Sequence, residues 1–258
     1  MKIIVTTTQS KDIPDENIKL FLEDAGLTYI PRQRKSLPVL TAENGADAVI
    51  VWEDGRPLLY VDDQKFFFHP SMAKNRISGM RHGLGYDVMA KACGIETGDS
   101  FLDCTLGMGA DAIVASYLSG GKIVGLEKSP GIYHVIKWGM RNYRSRMNWL
   151  EDAIHRIRVI PQDHLDFLKE LPEHSFDIIY FDPMFRKPLL SSQPLAPLRL
   201  LADPAPLSPE AVSEACRAAR KRVVMKELVT SGEFERLGFK LYPGSKHNRI
   251  GYGYIDID

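Results

Sequence analysis

The hydrophobic and polar positions change rhythm once along the chain. Over the first seventy residues, short β-branched runs alternate with turn signals. Ile3–Thr7 predicts a strand. Asp12-Ile13-Pro14 offers a helix cap and an early proline. Ile18, Leu20, Phe21, Leu22 and Ala25 then supply apolar helical positions that Gly26 ends. Leu27–Pro31 predicts a second strand. Ala48–Trp52 and Pro57–Val61 flank the turn Glu53-Asp54-Gly55-Arg56, a hairpin signal, and Lys65–His69 reads as an aromatic strand. Residues 1–70 therefore predict a small α+β accessory unit of mostly antiparallel character.

From Ser100 onward the rhythm is strand, helix, strand. Strands are predicted at Phe101–Cys104, Lys122–Glu127, Ile157–Pro161, Phe176–Phe181, Arg222–Lys226, Phe239–Tyr242 and Tyr252–Ile257. Helical segments between the first five predict a mostly parallel sheet with right-handed crossovers. Pro243-Gly244-Ser245 is too short for a helix, so the last two strands predict an antiparallel hairpin at the sheet edge. Residues 71–258 thus form one Rossmann-like α/β domain. Its leading segment, Ser71–Gly94, carries Lys74, Arg76, Arg81, His82 and Lys91 against one acid, Asp87. That suits either cations aimed at an anionic substrate or a connecting helix with a wet face.

Composition narrows this picture little. A chain of 258 residues suits a large domain plus a small one, and 44% apolar residues allow a sizeable core. Lys plus Arg and Asp plus Glu both number 33, so a case for nucleic acid must be local. Cys93, Cys104 and Cys216 are few and far apart, with neither metal-ligand nor disulfide spacing, which suits a reducing cytosol. The opening apolar run is too short for a signal peptide, and none approaches the ~18–20 residues of a bilayer span. A soluble, cytoplasmic protein with no membrane partner is expected.

The candidate chemistry begins at Phe101–Asp111, which reads F-L-D-C-T-L-G-M-G-A-D. Gly107, Gly109 and Ala112 fit G-x-G-x-x-G/A, where glycine allows positive φ and close ligand approach. Glu127 follows at the end of the next strand, placed to accept ribose hydroxyls. Asp103 favours a cationic cofactor over a pyrophosphate, which a carboxylate repels. Gln162-Asp163, past the third strand, can accept from an adenine amine. Together these point to S-adenosylmethionine. Cys104 reads as a small residue in a crowded turn, since no histidine lies near in sequence to activate it.

The fourth strand ends in Asp182-Pro183-Met184-Phe185. An exocyclic base amine delocalises its lone pair into the ring. The Asp182 carboxylate and the Pro183 carbonyl can both accept from such an amine and localise that pair. Pro183 stiffens the turn, and Phe185 can stack on a flipped base. These residues resemble those of class I S-adenosylmethionine-dependent methyltransferases. The D-C-T-L-G-M-G-A-D stretch, the L-E-K-S-P turn, Asp-Pro-Met-Phe and the fifth strand K-R-V-V-M-K are most similar to the ribosomal small-subunit methyltransferase J family, which methylates a guanine N2 amine in rRNA. The resemblance spans roughly residues 71–226. It implies that Asp103, Thr105, Gly107, Gly109, Asp111, Glu127, Lys128 and Asp163 hold S-adenosylmethionine. It also implies that Asp182, Pro183 and Phe185 serve the target amine, with rRNA or the small ribosomal subunit as partner. A methyltransferase acting on a small molecule or protein, an NAD-dependent oxidoreductase, and an RNA-binding module without catalysis remain alternative readings.

Three further stretches bear on the substrate. Ser129-Pro130 caps a long helix whose later part carries Lys137, Arg141, Arg144 and Arg146, followed by Arg156 and Arg158, with Trp138, Tyr143 and Trp149 interleaved. That is either a face tracking phosphates or a solvated helix with buried aromatics. Arg186–Leu207 is rich in proline and suits a lid over substrate. Lys226 ends the fifth strand, either against a substrate phosphate or in water. Arg32-Gln33-Arg34-Lys35 likewise reads as a solvated loop or a phosphate contact.

Overall fold

The first helix starts where a side chain can reach its open N–H groups. That side chain is Asp15, whose Oδ1 accepts from the Ile18 N–H at 3.0 Å. Asp12 lies outside the described residues. The computed structural model describes residues 1–8, 13–62, 64–183, 205–243 and 249–258. In order, the N-terminal elements are β1 (Ile3–Thr7), α1 (Glu16–Ala25), β2 (Thr28–Tyr29), α2 (Leu37–Asn44), β3 (Ala48–Glu53), β4 (Arg56–Val61) and β5 (Gln64–Phe66). Gly26 closes α1 at φ 62°, as its place in the sequence predicts. The strands pair in the order β2-β1-β3-β4-β5. β1 runs parallel to both β2 and β3, and only the β3–β4 and β4–β5 pairs are antiparallel. The sheet is therefore mixed, not mostly antiparallel. The helix α2, absent from the sequence reading, supplies the connection that a parallel β1–β3 sheet requires.

The second run comprises α3 (Ser71–Arg81), α4 (Val88–Cys93), β6 (Phe101–Asp103), α5 (Ala110–Ser119), β7 (Ile123–Leu126), α6 (Pro130–Asn142), α7 (Asn148–His155), β8 (Ile157–Ile160), α8 (His164–Glu170), β9 (Phe176–Phe181), α9 (Pro209–Ala218), β10 (Ala219–Leu228), α10 (Glu233–Arg236), β11 (Lys240–Leu241) and β12 (Ile250–Asp256). Contacts divide the chain into two compact units. The first joins residues 1–69 with Ser129–Tyr143, so α6 groups with the N-terminal sheet. Its Trp138 packs on Phe21 and Trp52, at 5.5 and 5.9 Å between ring centroids. A Cβ on Gly139 would stand 2.3 Å from the Phe68 Cβ, so only glycine lets the helix approach there.

The second unit is built on a seven-stranded sheet in the order β11-β12-β10-β9-β6-β7-β8. β6 to β10 are parallel, and β12 runs antiparallel to both β10 and β11. This is the predicted sheet with its antiparallel edge, although residues 244–248 of the connecting turn lie outside the described set. Alternation sorts the strand residues between two faces. Leu102, Val124, Ile179, Phe181, Val223 and Met225 share one core with Leu168 of α8 and Ala211 and Ala215 of α9. Asp103 and Tyr180 pair directly across β6 and β9, so both point to the opposite face. Asp111, Tyr180, Asp182 and Lys226 meet on that side, near the carboxyl ends of the parallel strands. Among the described residues, no helix is long and apolar enough to cross a membrane.

Candidate active site

The glycine turn is stitched to the strands on either side of it. The Cys104 N–H donates to the Tyr180 carbonyl and the Leu106 N–H to the Leu126 carbonyl, both at 2.9 Å. Gly107 and Gly109 take φ of 49° and 71°, the left-handed values that the G-x-G spacing predicts. Gly109 caps α5. A Cβ on Gly125 of β7 would meet Leu106 at 2.5 Å, so this glycine makes room for the loop.

Asp103 is 2% exposed and accepts from the Thr105 N–H at 3.0 Å. Burial, then the neighbouring Asp111, push its carboxyl well above the usual carboxylate range. Thr105 also reaches the other side of the site, where its Oγ1 accepts from the Asp182 N–H at 2.6 Å. One threonine thereby ties the end of β9 to the glycine turn. Glu127 follows β7, and its N–H donates to the Ile160 carbonyl of β8 at 3.1 Å. Asp163 caps α8 through the Leu165 N–H and pairs with Lys128 at 3.0 Å. Burial acts to raise the Asp163 carboxyl, but Lys128 and the cap bond hold it below its ordinary value.

Asp111 sits differently from the other carboxylates. In the first turn of α5 it is 6% exposed. Its Oδ1 accepts from Arg76 Nη1, and its Oδ2 takes the Tyr180 hydroxyl at 2.9 Å and Lys226 Nζ at 3.3 Å. Burial would raise this carboxyl, yet Lys226 and Arg76 hold it down to about 2. Arg76 also grips Asp87 through Nε and Nη2, at 2.7 and 2.8 Å. Lys226 Nζ lies 2.7 Å from Asp182 Oδ2. Neither Arg76 nor Lys226 is therefore a cation awaiting phosphate. Arg76, Tyr180 and Lys226 went unrecognised in the sequence as partners of Asp111. A buried tyrosine two residues before the strand-end acid was the available signal, since it shares that acid's face.

Asp182 and Pro183 close β9 beside this cluster, while Met184, Phe185 and most of the proline-rich stretch, 186–204, lie outside the described residues. Burial raises the Asp182 carboxyl, with Lys226 opposing the rise. Cys104 is buried, and desolvation followed by Asp103 lifts its thiol well above the usual value, which suits a packing role and not a nucleophile. The basic-aromatic face does not form one helix. α6 ends at Asn142 with Tyr143 extended, and α7 begins at Asn148. Lys137 and the Trp138 Nε1–H both bind Asp24, at 2.6 and 2.8 Å, and Trp138 is buried. Arg144 pairs with Glu151, and Arg156 donates to the Ser116 carbonyl.

The donor set fits one kind of cofactor. Carboxylates at Asp103, Glu127 and Asp163 suit an ammonium group, ribose hydroxyls and an adenine amine, and they would repel a pyrophosphate. A doubly wound sheet of this order, with that set around a glycine turn, defines a Rossmann-like S-adenosylmethionine-dependent methyltransferase. The family described as "Putative SAM-dependent methyltransferase" matches residues 45–248, and the chain belongs to it. The "Uncharacterized protein YpiP" of Bacillus subtilis (strain 168) is 34% identical over 241 residues, 93% of each chain. The ribosomal RNA small subunit methyltransferase J of Pseudomonas syringae pv. tomato is 29% identical over 206 residues, covering 75% of this chain and 74% of that one. Its namesake in Coxiella burnetii is 29% identical over 174 residues, 65% of this chain and 63% of the relative. A crystal structure of a SAM-dependent methyltransferase from Neisseria gonorrhoeae superposes with TM-score 0.62 at 18% identity, covering 99% of this chain and 95% of that one, a likeness of fold. The protein is a methyltransferase using S-adenosylmethionine, and the oxidoreductase reading is set aside.

Proposed function

We propose that this methyltransferase acts on an exocyclic base amine, a guanine N2, in small-subunit rRNA. The observation that carries the proposal is the placement of Asp182. It is a partly buried carboxylate at the end of β9, bonded through its own N–H to the glycine turn of the cofactor loop. The two relatives named as ribosomal RNA small subunit methyltransferases support the choice of substrate. In this reading Asp103, Thr105, Gly107, Gly109, Glu127, Lys128 and Asp163 hold the cofactor. When bound, S-adenosylmethionine supplies an electrophilic methyl group. Asp182 and the Pro183 carbonyl accept from the two amine N–H bonds and keep the nitrogen lone pair directed at that methyl. Orientation supplies most of the rate, and the Asp182 carboxylate takes the proton that the nitrogen sheds. Phe185, outside the described residues, keeps the role expected from the sequence, stacking on the extruded base.

The direct test is transfer of labelled methyl from the cofactor to small-subunit RNA taken from cells lacking the protein, followed by nucleoside analysis. Label in N2-methylguanosine is the expected result. Label only in protein or small molecules overturns the substrate assignment.

Asp103 makes the cofactor step dependent on pH. Its carboxyl is raised in the free protein, and a cationic ligand beside it lowers that value. Binding therefore releases a proton between the two values, and affinity rises with pH through that window, then levels off. Calorimetry in buffers of different ionisation enthalpy should register this release over the pH range above ordinary carboxylate values, where a raised carboxyl titrates. Zero proton release throughout that range would remove Asp103 from the cofactor's cationic end.

A further inference from the structure

Parallel pairing of β9 with β10 sets Met225 beside Phe181, which brings Lys226 of β10 to Asp182, just past the end of β9. Lys226 Nζ then spans two carboxylates, 2.7 Å from Asp182 and 3.3 Å from Asp111, with its side chain 18% exposed. Asp111 is fixed from two further directions, by Arg76 on Oδ1 and by the Tyr180 hydroxyl on Oδ2. Arg76 is itself fixed by Asp87, whose carboxylate also caps α4 through the Ala90 N–H. Both Asp111 oxygens are thus engaged by the chain, and among the described residues the network ends at the Asp182 carboxylate.

We propose that Lys226 is a positioning residue for methyl transfer, holding Asp182 at the end of β9 as a hydrogen-bond acceptor, and that Asp111 serves Lys226 rather than the cofactor. The inference rests on the reading that Asp182 receives the target amine. The charged and titratable groups facing Asp182 are Lys226 of β10, Asp111 of α5, Arg76 of α3, Asp103 of β6, Tyr180 of β9 and Tyr252 of β12. Two carboxylates stand against two cations among them, so losing one cation tips the balance, and burial already raises Asp182. With Lys226 removed, Asp182 takes up a proton at higher pH and presents a donor where the amine needs an acceptor. Removing the Asp111 charge acts in the opposite sense, because Asp111 raises Asp182.

The test compares Lys226→Met, Lys226→Arg and Asp111→Asn. In Lys226→Met the acidic limb of the kcat profile should move up by about one pH unit or more, with turnover on that limb falling roughly tenfold and recovering at higher pH. Lys226→Arg should restore the limb, and Asp111→Asn should move it downward. The Kd for S-adenosylmethionine should stay within about threefold in all three, since none is assigned to the cofactor. A second readout needs no turnover. The carboxyl carbon resonance of Asp182, assigned by its loss in Asp182→Asn, should titrate at higher pH in Lys226→Met than in the natural protein. Should Lys226→Met not fold, Lys226→Gln keeps a donor without the charge and carries the same comparison. Unchanged titration and an unchanged limb overturn the role of Lys226. A cofactor Kd weakened about tenfold or more in Asp111→Asn overturns the role given to Asp111. Full turnover in Asp182→Ala defeats the underlying reading of Asp182 instead, so the failures are distinguishable.

Discussion

Asp182→Ala is expected to lose methyl transfer by at least about a hundredfold, the scale seen when one preorganised catalytic hydrogen-bonding group is removed. Cofactor affinity should change little, because the glycine turn and the Asp103, Glu127 and Asp163 carboxylates belong to other strand ends. The backbone bond from the Asp182 N–H to Thr105 survives the substitution, so the turn keeps its seat. Lys226 retains Asp111 as a partner, which limits the structural cost. Single-turnover rates combined with calorimetric Kd separate the two effects: kcat should fall while Kd holds. Turnover at the natural rate would show that amine recognition lies elsewhere.

The largest effect on stability is expected at Arg76. Its guanidinium is the shared counter-ion of Asp87 and Asp111, carboxylates that are only 8% and 7% exposed. Arg76→Met leaves both without it, and breaking a buried ion pair from one side typically costs about 3–5 kcal/mol. Urea unfolding near neutral pH measures the loss. The pH dependence of the deficit follows from Asp111. Its carboxyl is lowered to about 2 in the folded chain, so its contribution is complete above the unfolded value, near 3.9, and fades as pH falls toward about 2. The gap between natural and substituted protein should therefore narrow in acid. A loss below about 1 kcal/mol at neutral pH would mean that the cluster is solvated and carries little energy.

Much of the second sheet was legible in the sequence because its strands are short apolar runs with glycine and acid at their ends. Phe176–Phe181 matched residue for residue, and the glycine turn, Gly26 and Gly94 fell where left-handed backbone was needed. The first unit was less legible. Strand direction is not written in a strand's own composition, so the parallel pairing of β1 with β3 escaped detection. The helix α2 did as well, because the apolar residues of Leu37–Asn44 lack a clear helical period. The basic helix was extended too far, since charge continues past Asn142 while the backbone turns at Tyr143.

The sequence by itself determined the Rossmann-like sheet, the glycine turn, the strand-end carboxylates and the Asp182-Pro183 terminus. Each is a local pattern in which a residue type and its strand or turn occur together. Only the tertiary structure decided what Asp111 and Lys226 do. The partners of Asp111 lie 35, 69 and 115 positions away in the chain, and Lys226 meets Asp182 across 44. Such pairings follow from which strands become neighbours and which faces they share. Local periodicity carries no record of either.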